Sequence, residues 1–243
     1  MADGPRLKID IDEKRFAVLP VPLLVDFHLT VEPSTVVALV GPSGVGKSSL
    51  LRMIAGVDRD YSGTITIDGV DAAAAPPAGF VFQDARLLPW LTAGQNIRAV
   101  RRETTEAEAS ALLQRVGLAG YDNAYPRELS GGMQRRVALA RAFSVNPRLL
   151  LLDEPFVSLD RNLVAEMQDV FLDLVRAHGA TAILVTHLAD DAARLADRAV
   201  VLAGMPARIA ADVALSPERD LRNDADFARL SGAISNSAPE AHA

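Results

Sequence analysis

Val36-Val37-Ala38-Leu39-Val40-Gly41-Pro42-Ser43-Gly44-Val45-Gly46-Lys47-Ser48-Ser49 is the stretch on which the fold turns. An apolar run from Val36 to Val40, without a polar break, predicts a short strand buried on both faces of a sheet. Gly41 to Ser48 then fit the pattern G-x-x-x-x-G-K-S/T, and Ser48 to Ala55 reads as a helix stopped at Gly56. Strand, glycine-rich turn and helix in that order make a phosphate cradle. Glycine lets backbone N–H groups close around phosphate oxygens without a Cβ in the way. The helix presents its positive N-terminus to the anion. Lys47 is expected to reach the β- and γ-phosphates of a nucleoside triphosphate, and the Ser48 hydroxyl to ligate Mg²⁺. Taken alone, the pattern is shared by kinases, GTPases and motors.

Outward from this loop the chain alternates strands and helices. Leu7, Ile9 and Ile11 alternate with polar residues, as do Phe27, Leu29 and Val31, and Thr64 to Ile67 closes on the turn dipeptide Asp68-Gly69. Short connections between these segments predict an antiparallel N-terminal β subdomain. Phe80 to Phe82, Leu149 to Leu152, Ala182 to Val185 and Ala199 to Leu202 read as further strands. Residues 84 to about 145 are polar and helical in character, broken at Pro89 and Pro126, and read as a helical insertion. Leu163, Met167, Val170, Phe171 and Leu174 form an apolar stripe at helical spacing. The expectation is one α/β domain over residues 1–230 with a mostly parallel core sheet covered on both faces. Ser216-Pro217-Glu218 looks like a helix start, and residues 231–243 are expected to fray.

Leu149-Leu150-Leu151-Leu152-Asp153-Glu154 is an apolar strand ending in two carboxylates. Ligands in open α/β sheets bind at the carboxyl ends of strands. Asp153 is expected to hold Mg²⁺ through water, and Glu154 to orient or deprotonate an attacking water.

Leu129-Ser130-Gly131-Gly132-Met133-Gln134 separates the P-loop classes. With the P-loop, Gln83, Asp153-Glu154, Ser158-Leu159-Asp160 and His187 in order, it resembles the signature of the ATP-binding-cassette (ABC) ATPases across nearly the whole chain. The resemblance implies a P-loop NTPase in which two chains sandwich ATP head to tail. Residues 41 to 49 of one copy face Ser130, Gly131, Gly132 and Gln134 of the other, with Asp160 at the interface. It further implies that Gln83 touches Mg²⁺ and the attacking water, and that His187 contacts the γ-phosphate and supports Glu154. An aromatic residue stacks on adenine in this family; Phe16 stands at about that place, with a plain core role as the alternative. Leu188 occupies a position where relatives often carry an acid.

Leu87-Leu88-Pro89-Trp90 is an apolar cluster in a polar segment. It can serve as a small core for the helical insertion or as a groove receiving a short helix of a membrane permease. Its form after Gln83 resembles the branch that imports nitrate, sulfonates and taurine. That implies an import motor with transmembrane permease subunits and, indirectly, a solute-binding protein as partners. It would sit peripherally on the cytoplasmic face of the inner membrane. Rival readings are a non-transport ABC ATPase, a small-molecule kinase and a nucleotide-sensing module.

Composition narrows the field further. A net charge of −6 argues against a nucleic-acid carrier. The cysteine count of 0 excludes disulfides, thiolate metal sites and a cysteine nucleophile. No apolar run approaches the roughly 18 residues that cross a bilayer. Met1 to Lys14 lacks the apolar centre of a secretory signal, so membrane association is expected to run through a partner.

Overall fold

The computed structural model describes residues 4–157, 161–215 and 224–237. The chain divides into two compact units, a split unit built from segments 3–77 and 181–243 and an inserted unit built on 78–180.

The split unit begins with β1 (Leu7–Lys14), β2 (Leu24–Val31), β3 (Val36–Val40), α1 (Lys47–Ile54), β4 (Ser62–Ile67) and β5 (Val70–Asp71). β1 pairs antiparallel with β2 and β4, so that Ile9 stands between Leu29 and Ile65. These side chains are buried, as period-two alternation requires of a sheet with one covered face. The β4–β5 turn places Asp68 and Gly69 at φ of 51° and 78°. Two successive left-handed residues are what a tight hairpin needs to match strand twist.

The inserted unit follows with β6 (Gly79–Val81), α2 (Ala93–Arg98), α3 (Glu106–Arg115), a 3₁₀ turn at Pro126–Glu128, α4 (Gly131–Phe143), β7 (Leu149–Asp153) and α5 (Arg161–His178). Thr92 with Gln95, and Thr105 with Glu108, form reciprocal capping boxes that fix the starts of α2 and α3. Met167, Phe171 and Leu174 of α5 are buried, and Phe171 meets Phe156 edge-on at 6.5 Å between ring centres. Such tilted aromatic pairs are electrostatically preferred.

The chain then returns to the split unit with β8 (Thr181–Thr186), α6 (Ala189–Leu195), β9 (Arg198–Ala203), β10 (Arg208–Ala214) and α7 (Asp224–Ser237). β3 lies between β8 and β9, parallel to both, and β10 closes the edge antiparallel to β9. This central place explains why Val36 to Val40 carries no polar residue: both neighbours and both faces are protein. The sequence pattern does not predict α6 or β10. α7 runs through Ser237, past Ser231 where fraying is expected, while the Ser216-Pro217-Glu218 start lies outside the described residues.

Candidate nucleotide site

In the split unit the loop from Gly41 to Lys47 leaves β3 and enters α1. Gly44 and Gly46 adopt φ of 82° and 106°, values that L side chains rarely tolerate. Gly46 is the N-cap of α1 and contributes no side-chain cap, and no acid lies in the first turn. The helix thus presents backbone N–H groups and positive dipole where a phosphate can accept them. A Cβ on Gly41 would stand 2.5 Å from the Leu202 carbonyl oxygen, whereas one on Gly44 would meet nothing within 4 Å. Gly41 is therefore a packing glycine and Gly44 a conformational one. Lys47 is buried, and its Nζ donates to the carbonyls of Gly41 and Pro42 at 2.8 and 2.9 Å. The ammonium is thereby held along the loop whose backbone forms the cradle.

His187 belongs to the same unit. Val40 pairs with Thr186 in the parallel β3–β8 ladder, so Gly41 and His187 leave neighbouring strands at the same edge. The His187 turn has its own support. Thr186 Oγ1 accepts the Leu188 N–H at 3.0 Å and donates to Asp191 Oδ2 at 3.1 Å. Asp191 is 5% exposed. The departure at Leu188 is thus accompanied by a buried acid one α6 turn further on. Phe16 lies half-buried in the loop after β1, in this unit as well.

The inserted unit carries the other candidates. Val81 pairs with Leu152 in the parallel β6–β7 ladder, so Gln83 and the Asp153-Glu154 pair emerge from one edge of it. Gln83 is exposed and the two acids are half-buried. Glu154 has φ of 47°, a left-handed conformation that costs a non-glycine residue about 1–2 kcal/mol and turns the chain sharply after the strand. Ser130 caps α4, its Oγ accepting the Met133 N–H at 3.2 Å. Gly131 has open space around it, while a Cβ on Gly132 would run into Leu163 of α5. Gln134 commits its side-chain N–H donors to the carbonyls of Pro126 and Leu129 at 2.9 and 3.2 Å. It organises the turn leading into Ser130. Asp160 lies outside the described residues.

Several supporting residues carry no motif. Arg141, on the last turn of α4, donates to the carbonyls of Ala85 and Arg86 at 2.9 and 2.8 Å. Burial holds its guanidinium below the usual arginine value; two carbonyl acceptors offset part of that desolvation. Arg135, nearer the start of α4, donates to the Val157 carbonyl. The signature helix thus holds both the segment after Gln83 and the segment after Glu154. Asn96 is fully buried in α2 and bonds Leu88, Leu91 and Thr92 through Nδ2 at 3.0 to 3.1 Å and Leu88 N–H through Oδ1 at 2.7 Å. Two amide hydrogens shared among three carbonyls, with Oδ1 accepting from Leu88, fix the Leu88–Thr92 turn. Trp90, on that turn, is 68% exposed, which removes it from a core role.

A buried strand, a left-handed glycine loop and an anchored lysine at the start of a helix define a P-loop nucleoside-triphosphatase of the α/β class. The ABC transporter family profile matches residues 24–157. The aliphatic sulfonates import ATP-binding protein SsuB 1 of Xanthomonas axonopodis pv. citri is 42% identical over 84% of this chain and 83% of its own length. A protein of the same name from Pseudomonas savastanoi pv. phaseolicola is 40% identical over 97% of each chain. Among solved structures, the dimeric MJ0796 bacterial ABC transporter cassette superposes with a TM-score of 0.77 at 27% identity, over 86% of this chain and 99% of that one. Its post-hydrolysis dimer with ADP and Pi gives 0.76 at 28% identity, covering 86% and 99%. The chain belongs to the ABC transporter family and is an ATPase of that family.

Proposed function

We propose that this chain is the ATP-hydrolysing motor of an importer for small organic anions of the aliphatic-sulfonate class. The named relatives are sulfonate import ATP-binding proteins, which supports that solute class. The observation that carries the motor reading is the pair of helix starts. α1 opens at an uncapped glycine beside Lys47, and α4 opens at Ser130 with Gly131 in open space. One chain thus carries two anion-facing helix N-termini. Two copies arranged head to tail, as in the dimeric cassette it resembles, give each ATP one of each kind.

In this reading residues 41 to 49 bind the triphosphate, with Lys47 on its β- and γ-oxygens, and Phe16 stacks on adenine. Glu154 accepts a proton from the attacking water, and His187 and Gln83 orient that water and the γ-phosphate. The residues that would hold Mg²⁺ are Ser48 through its hydroxyl, Asp153 through its carboxylate and Gln83 through its amide oxygen. These are hard oxygen ligands suited to a cation that keeps several waters and binds through phosphates. When bound, the ion neutralises charge developing on the phosphoryl oxygens. Asp160 and the signature residues Ser130 to Gln134 face the second copy. Permease subunits supply the membrane path, a solute-binding protein delivers cargo, and the motor rests on the cytoplasmic face of the inner membrane. Among the described residues no helix is long and apolar enough to cross a membrane.

Glu154→Gln tests this directly. It removes the base and keeps the shape, so ATP with Mg²⁺ should accumulate an ATP-bound dimer visible by size-exclusion chromatography. A variant that binds ATP yet stays monomeric at all concentrations would falsify the sandwich.

A further inference from the structure

We infer that Lys14 is a positioning residue for the nucleobase: clamped by Asp58 and the Asp60 backbone, it props the Phe16 ring from one face. The inference rests on the reading of Phe16 as the adenine-stacking residue. Lys14 is 1% exposed, a burial that lysine almost never accepts unless paired. Its Nζ donates to Asp58 Oδ1 at 3.0 Å and to the Asp60 carbonyl at 2.6 Å, with the exposed Asp60 carboxylate 3.5 Å away. The same ammonium lies 4.5 Å from the centre of the Phe16 ring, well inside the ~6 Å range of cation–π attraction.

The loop that carries Phe16 is tied to the phosphate cradle. Leu23 N–H donates to the Lys14 carbonyl at 2.7 Å, pinching the loop at its base, and Leu19 N–H donates to the Phe16 carbonyl at 3.0 Å. The Leu23 side chain lies against Gly46, where a Cβ would stand 3.0 Å from its Cγ. Gly46 immediately precedes Lys47. The ring is thus set on a frame that touches the start of α1, and the cation fixes its tilt. A cation on one face also draws electron density from the other, which favours offset stacking of an electron-rich purine there. Without the prop, a half-buried phenylalanine on a proline-rich loop would sample several rotamers and lose that entropy again at each binding event.

The test compares ATP with inorganic tripolyphosphate, which needs the cradle and no base. The main variant is Lys14→Met made together with Asp58→Asn, so that the local net charge is unchanged. It should weaken ATP binding about 3- to 10-fold while tripolyphosphate affinity stays within about 2-fold. Phe16→Ala should weaken ATP about 10-fold with the same selectivity, and the clamp change should add nothing further in that background. Lys14→Arg, which keeps a cation, should restore most of the ATP affinity. Should the paired variant not fold, Asp58→Asn alone is the readout, with the same selective loss in smaller measure. Equal loss of ATP and tripolyphosphate overturns the proposal, because it marks a merely structural ion pair. So does ATP binding that Phe16→Ala weakens and the clamp variants leave untouched. A Phe16→Ala protein with undiminished ATP affinity instead sinks the adenine-stacking reading, and this proposal with it.

Discussion

Gly46 concentrates three demands on one residue. Its φ of 106° excludes an ordinary side chain, Leu23 fills the space a Cβ would need, and its position as N-cap leaves the α1 amides open. Gly46→Ala should therefore lose about 1–2 kcal/mol of stability, the usual size of a left-handed penalty on alanine. Isothermal titration should register a far larger effect on nucleotide binding, since the phosphate must accept from the amides this distortion moves. Loss of stability with ATP affinity intact would mean that the glycine serves packing alone. Lys47→Ala is the complementary change. It removes the ammonium that bonds the Gly41 and Pro42 carbonyls, and should abolish ATP binding at a stability cost of about 1–3 kcal/mol. These residues were legible in the sequence because each occupies a place in a pattern whose chemistry tolerates no substitute. Glu154 was legible as an acid after a strand but not as a left-handed residue, because nothing in Leu-Asp-Glu-Pro states a dihedral angle.

At the scale of elements, the strands and helices with a clean period were readable, and the exceptions have physical causes. β3 and β7 are unbroken apolar runs because each is a buried core strand. β10 reads Arg-Ile-Ala-Ala-Asp-Val-Ala, three of its seven residues alanine, and as an edge strand it needs no continuous apolar face. Arg198 of β9 holds it, through both Oδ atoms of Asp212 at 2.7 and 2.5 Å. That pairing depresses the Asp212 carboxyl below its ordinary value and raises Arg198. A lowered carboxyl pKa stabilises the fold above the unfolded value near 3.8, and the contribution disappears as pH falls through the folded value. Asp212→Asn should therefore cost at most about 1 kcal/mol near pH 7, given the exposure of the pair. Chemical denaturation at successively lower pH should show the gap between variant and parent closing as the pH falls below 3.8; a gap that stays constant down the series would assign the effect to shape. α6 went unread because it is short, and its key interaction runs from a strand threonine to its own first turn. Thr186→Val removes the hydroxyl that bonds both Leu188 N–H and buried Asp191. Stability should fall by about 1–3 kcal/mol, and turnover at saturating ATP should fall at least tenfold because His187 leaves its register. Turnover that simply tracks the folded fraction would deny His187 a part in the chemistry.

For the whole molecule, the candidate site residues divide between the two compact units: the P-loop, Phe16 and His187 in the split unit, Gln83, Asp153, Glu154 and Ser130 to Gln134 in the inserted one. The inserted unit also bears the surface that sequence left undecided between core and docking groove. Leu87 and Leu88 are half-buried there, and Trp90 is exposed. A large aromatic ring on a turn held through both ends of one buried asparagine amide is a rigid apolar anchor, the kind of residue that dominates interface energy. The same loop is fastened to α4 through Arg141 and the carbonyls of Ala85 and Arg86, and α4 begins at Ser130. On the docking reading, a permease helix pressing on Trp90 would push on a chain that leads to Gln83 at one end and, through Arg141 and α4, to Ser130 at the other. Trp90→Ala should leave the ATPase rate of the isolated subunit unchanged, since the ring touches no reacting group. In vesicles containing the permease, the same variant should lose most of the stimulation, matching a docking loss of about 2 kcal/mol or more. Arg141→Met should behave differently: the permease still binds, measured by co-purification, yet stimulation is weak because the loop is no longer fastened to the helix. If Trp90→Ala couples as well as the parent, the docking surface lies elsewhere. If Arg141→Met couples normally, α4 does not carry the signal.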